Sequence, residues 1–380
     1  CGSGKKFKRC CLDKPRPEVY DAGWSPAMQK QILKNMRDET ERRKRFGEVR
    51  DVISTVHQGH RFVAVGNRMY FHKDWRTFTD FLLFYVRDVM GKAWWDSEAA
   101  KAPAEQHPLM KWFKHWAEMS GKAEPDESGL RSAIPDGTMS ALVLLAYDLY
   151  VLRHHSKLQD AVVERLRQGD QFYGARYEVF AAATFVRTGS DFEYEDETDT
   201  KRKHAEFNAT FPGGFKAAVE AKARRRKVPT EAFDVATIRP GVRDLLLSAA
   251  EKATGVPLIV LVELNLPPED SARPSWVAEV DAVMAEIAAA NSGKSPFAAV
   301  LFTNRPHIYG LPGEPDPSRH FYAVWPDRAG LPDGLVEALG TAAQQYGNVP
   351  TLFPDDFQKE KDTTVSKSSP KPGSTTDDSG

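Results

Sequence analysis

The sequence predicts an α+β or α/β chain in which a helical N-terminal region is followed by one mixed sheet flanked by helices. Three observations carry that expectation. Before Gly169, apolar residues recur mostly at helical spacing. After it, two runs alternate with period two: Ala205, Phe207, Ala209 and Phe211, then Phe215, Ala217, Val219, Ala221 and Ala223. Two short, continuously apolar runs, 257–264 and 297–303, have the length of buried strands and alternate with helical segments.

Composition bounds the chain loosely. Its 380 residues allow two or three domains, and 41% hydrophobic content suffices for ordinary cores. Composition shifts suggest segments 1–14, 15–168, 169–330, 331–357 and a tail 358–380 rich in Lys, Asp, Ser, Thr, Pro and Gly, expected to be disordered. Net charge is -1, so any basic surface must be local. No apolar run approaches the ~18 residues of a membrane span. All three cysteines lie within the first eleven positions, which argues against a disulfide framework and for soft metal ligands in a reducing, cytoplasmic compartment.

In order, Ser25 and Pro26 open a helix whose cluster Arg42, Arg43, Lys44 and Arg45 reads as a solvated face. Residues 62–71 read as a hairpin turning at Gly66 and Asn67. Residues 74–95 read as an aromatic-rich helix, 107–118 as a short amphipathic one, and 121–137 as a loop. One long helix is expected over 140–168, where the adjacent His154 and His155 point apart and make a poor chelate. A helix over 170–188 follows, stopped by Gly189. Strands are expected at 192–195, in the two alternating runs, and at 257–264, 297–303 and 321–325. Helices are expected from near Pro240, over 276–290 and over 333–346.

The alternating runs meet at Pro212, Gly213 and Gly214, a three-residue turn. Parity keeps both apolar sets on one face when Phe211 faces Phe215, which sets Glu206 opposite Glu220 and Lys222 two residues beyond. Like charges across a ladder repel unless a cation lies between them, and hard divalent cations take oxygen ligands. In the helix before the sheet, Glu178 has Gly174, Ala175, Ala181 and Ala182 around it, so it requires a partner from elsewhere in the fold unless it sits at the helix rim.

Helix with Glu178, strand, strand with Glu206, strand with Glu220-Ala221-Lys222, helix, strand: over residues 169–325 this arrangement resembles the PD-(D/E)xK, restriction-endonuclease-like nuclease superfamily. The upstream acid is usually Asp after Pro, and here is Glu206 after Ala205. The resemblance implies a Mg²⁺ (or Mn²⁺) site at Glu206, Glu220 and the Ala221 carbonyl. It also implies Lys222 as the group acting on the attacking water and Glu178 as an outer or second ligand. His204 is either a contact of that site or a strand-end residue. Separately, Cys1, the spacer G-S-G-K-K-F-K-R, Cys10 and Cys11 resemble the SEC-C zinc motif, whose first cysteine would precede Cys1. That resemblance implies Zn²⁺ on three thiolates and a docking or nucleic-acid-associated role.

Residues 201–227 hold nine Lys or Arg against two Glu, and Arg224, Arg225, Arg226 and Lys227 leave the E-x-K strand where a phosphate backbone would lie. Arg239 and Arg243 are further phosphate-contact candidates. The combined expectation is a cytoplasmic, Mg²⁺-dependent deoxyribonuclease, suited by resemblance to bacterial defence or DNA repair. The alternatives are a non-catalytic nucleic-acid-binding member of the fold and a SEC-C-containing protein-docking adaptor.

Overall fold

The structure is a computed structural model that describes residues 25–195, 204–224, 234–252, 255–305, 319–326, 328–354 and 356. Cys1, Cys10 and Cys11, with their zinc reading, fall outside the described residues, as do Arg225, Arg226, Lys227 and the tail. The chain divides into a unit ending at Lys44 and one beginning at Arg45.

In the first unit runs most of helix α1 (Pro26–Phe46). Ser25 Oγ caps it by accepting the Met28 N–H at 3.2 Å, with proline at the first helical position as expected. Arg42 and Arg43 pair with Glu39, and Lys44 with Glu41, along a largely exposed helix surface.

The second unit opens with an antiparallel meander, β1 (Ile53–His57), β2 (His60–Val65) and β3 (Arg68–His72). The turn at Gly66 and Asn67 is where the sequence places it. β1 is additional, and it joins β2 through Gln58 (φ 48°) and Gly59 (φ 74°), two positive-φ residues that close a tight hairpin.

Two helices expected as continuous are each broken. Residues 74–95 resolve into α2 (Phe78–Met90) and α3 (Lys92–Ala100), because Gly91 at φ 84° leaves the helical region. After α4 (Pro108–Lys122), residues 140–168 resolve into α5 (Gly137–His154) and α6 (Asp160–Arg167), separated at Ser156, φ 58°. His154 is buried and structural: its ring accepts the Gly66 N–H at 3.3 Å and contacts Asp51 O at 3.2 Å. Helix α7 (Phe172–Arg187) ends before Gly189, φ 75°.

The second sheet has six strands in the order β4 (Asp191–Tyr194), β5 (Phe207–Thr210), β6 (Lys216–Ala223), β7 (Leu258–Glu263), β8 (Ala299–Asn304) and β9 (His320–Val324). Pairing is antiparallel from β4 to β6, parallel from β6 to β8, and antiparallel to β9. The two parallel steps are crossovers through α8 (Arg239–Ala250) and α9 (Trp276–Ala290). Helix α10 (Asp333–Gln345) follows the sheet. The chain is thus mixed α/β, with helices followed by a six-stranded mixed sheet.

Alternation along the strands fills two cores. Ala217, Val219, Ala221, Ile259, Leu261 and Leu301 face a core shared with α7, and Ala218, Val260, Val262 and Phe302 face one shared with α8 and α9. The first core also contains Val49, Tyr85, Leu149 and Phe353, so it runs continuously across Gly169 and joins the helical region to the sheet. Two buried ion pairs hold this side together. Arg187 donates to Asp148 at 2.8 Å, and Arg305 Nε donates to Glu263 at 2.5 Å while lying 3.9 Å over the Phe180 ring. Among the described residues, no helix is long and apolar enough to cross a membrane.

Candidate active site

The hairpin supplies the first two acids. Gly213 (φ 95°) and Gly214 (φ 88°) make the turn, and the Phe211 N–H donates to Phe215 O at 2.8 Å, which fixes the expected register. The ladder runs from Thr210 opposite Lys216 to Phe207 opposite Val219. Glu206 stands one step outside it, where its N–H donates to the carbonyl of Val219 at 2.9 Å. The chain kinks there as at a bulge, and the Glu206 side chain stays beside Glu220.

Glu220 lies in the middle of β6 on the face covered by α8, opposite Val260 of β7. It is fully buried, 0% exposed. Period-two alternation places Glu220 and Lys222 on the polar face of the strand, but that face is roofed by a helix. Two ammonium groups serve one Glu220 oxygen, Lys222 Nζ at 2.6 Å and Lys252 Nζ at 2.7 Å from Oε1. Both contacts are close but poorly directed, so neither Glu220 oxygen has a well-formed hydrogen bond among the described residues. Lys252 Nζ also lies 4.0 Å from Glu206 Oε1.

Glu178 arrives from α7, and the partner its surroundings require is Arg165 of α6, which donates to its Oε2. Glu178, Arg165, Glu206 and Tyr194 line one shallow pocket beside Phe207. The Glu206 carboxyl is pushed up to about 8, by burial first and then by the charges of Glu178 and Glu220, with Lys252 and Arg165 opposing. Burial disfavours the Lys252 ammonium, but Glu220 and then Glu206 outweigh it and hold its pKa above the usual lysine value. The Tyr194 hydroxyl is raised by burial and by the same two acids, Glu178 and Glu206.

Of the residues named from sequence, Glu178, Glu206, Glu220 and Lys222 therefore come together, and Ala221 sits between the last two with its side chain in the α7-side core. His204 lies 3.5 Å from Glu195. Arg224 folds back, its Nη1 donating to Leu264 O at 3.4 Å, while Arg239 pairs with Glu279 and Arg243 is exposed on α8. Lys252 and Arg165 were not among the expected site residues. Lys252 sits in the tail A-A-E-K-A, where a lysine after a helix reads as surface, and Arg165 in a helix whose basic residues read the same way.

Among the described residues, no three His, Cys, Asp or Glu side chains form a ready metal cage. The donor chemistry nevertheless suits a hard dication: oxygen ligands, one carboxylate pushed toward its neutral form by burial and then by two others, and a buried Glu220 carboxylate short of well-directed donors. No family model, no curated protein and no solved structure matches this chain.

Proposed function

We propose that this chain is a Mg²⁺-dependent nuclease that hydrolyses DNA phosphodiester bonds on the restriction-endonuclease-like plan. The observation that carries the reading is the convergence of Glu178, Glu206, Glu220 and Lys222, drawn from a helix and a β-hairpin. The element order α7, β4, β5, β6, α8, β7, with Glu220-Ala221-Lys222 on the third strand, supports it.

Glu206, Glu220 and the Ala221 carbonyl are the groups that would hold the Mg²⁺, whose role is to polarise the scissile phosphate and acidify a water. Lys222, whose ammonium lies 2.6 Å from Glu220 Oε1, would orient the attacking water and offset negative charge developing on the phosphate. Arg165 pairs with Glu178 at the same pocket. Arg224 begins the basic exit from β6, on the path a phosphate backbone would take.

One observation favours a second reading, a non-catalytic nucleic-acid-binding member of the fold. Lys222 and Lys252 together already neutralise Glu220 from within the chain. Cleavage of plasmid and single-stranded DNA with Mg²⁺ separates the two. Glu220→Ala and Lys222→Ala should each lose about 10²-fold or more of the activity. Equal activity in all three proteins would refute the enzyme, and DNA retained without cleavage by all three would establish the second reading.

A further inference from the structure

We propose that Lys252 is a built-in counter-cation that competes with the divalent ion for Glu206 and Glu220 and must swing out for the site to load. The inference rests on the nuclease reading and adds to it a positioning residue with a defined direction of effect.

Three features of the geometry carry it. Among the described residues, Lys252 pairs with both acids, 2.7 Å from Glu220 and 4.0 Å from Glu206, so its ammonium stands where an ion ligated by both carboxylates would lie. Glu220 does not need it for neutrality, because Lys222 contacts the same oxygen at 2.6 Å. Glu206, which Lys252 reaches at 4.0 Å, lines one pocket with Glu178. An ammonium and a dication cannot share that space, since each repels the other within a few ångströms. Lys252 has a way out: it lies in the turn after α8, its side chain is 24% exposed, and its four-carbon stem is flexible.

The test is Mn²⁺ titration, followed by electron paramagnetic resonance, of chelator-stripped full-length chain carrying Lys252, Lys252→Met or Lys252→Arg. Thermal melts in EDTA accompany the titration. Lys252→Met should bind Mn²⁺ on the order of tenfold to a hundredfold more tightly than the unmodified chain, because a competing charge has gone. It should melt lower in EDTA and regain the lost stability with Mn²⁺, while Lys252→Arg keeps the original affinity. If Lys252→Met does not fold in EDTA, Lys252→Gln carries the same titration. Equal or weaker Mn²⁺ binding by the neutral variants overturns the role of Lys252 and leaves the nuclease reading standing. Absence of Mn²⁺ binding from every protein overturns both.

Discussion

Replacing Glu206 with Gln is expected to make the metal-free protein more stable at neutral and alkaline pH, although the residue is a candidate ligand. The Glu206 carboxyl, ordinarily at 4.5, is pushed up to about 8 in the folded chain. Below pH 4.5 it is protonated in both folded and unfolded states and contributes nothing to their difference. Between there and about 8, the folded chain keeps a proton that the unfolded chain has released, so stability falls by about 1.4 kcal/mol for each unit of pH. The full loss, about 5 kcal/mol, is reached above the folded value. Gln has no proton to lose, so its stability lacks this fall. Urea unfolding of both proteins in EDTA at about pH 5, about pH 7 and about pH 9 reads the difference directly, since every other titrating group is common to both. The two curves should start close together and diverge by about 3 kcal/mol by neutral pH. Parallel curves would refute the claim that Glu206 is buried against two other carboxylates. Added Mg²⁺ should reverse the order, stabilising the Glu206 protein alone.

Two further perturbations test the frame that holds the site. Glu263→Gln leaves the Arg305 guanidinium, 3% exposed, without its counter-charge, and should lower the unfolding free energy by about 3–5 kcal/mol. Adding Arg305→Met should recover part of that loss, as denaturant melts of the single and double variants would show. Gly47→Ala puts a Cβ 2.6 Å from the Arg187 carbonyl at a position of φ 76°, and should cost about 2 kcal/mol or more in the same assay.

Much of the sheet is legible in the sequence because its signals are local. The two glycines after Pro212 can hold the positive φ their turn demands, and the parity of apolar residues then fixes Phe207 against Val219 and brings Glu206 to Glu220. The apolar runs of β7 and β8 read as buried strands because both of their faces are covered. The missed features are of another kind. Ser156 takes a positive φ that its residue type does not announce, so the break between α5 and α6 carries no glycine or proline signal. β1 is a short, mostly exposed strand whose hairpin turn, Gln58-Gly59, lacks the Asn-Gly or Asp-Gly pairing that marks such turns. Arg165 and Lys252 reach the acids from segments 13 and 32 residues away from Glu178 and Glu220, and no pattern along the chain encodes that distance. Alternation identifies Glu220 as belonging to a polar face, but it cannot say whether water or α8 lies above that face.

The missed cations change how the site is understood. From sequence, Glu206 and Glu220 form a pair of like charges that calls for a metal. In the folded chain Glu178 is paired with Arg165 and Glu220 with both Lys222 and Lys252, while Glu206, raised to about 8, keeps its proton at neutral pH. The match is uneven: among the described residues, the ion-pair contact of Glu206 is the longer one, 4.0 Å to Lys252. On the nuclease reading, a dication held by Glu206 and Glu220 would displace both Lys252 and the Glu206 proton, two unit charges against the two it brings. Its binding would therefore be coupled to pH, and the carboxyl of Glu206 is where that coupling would be felt.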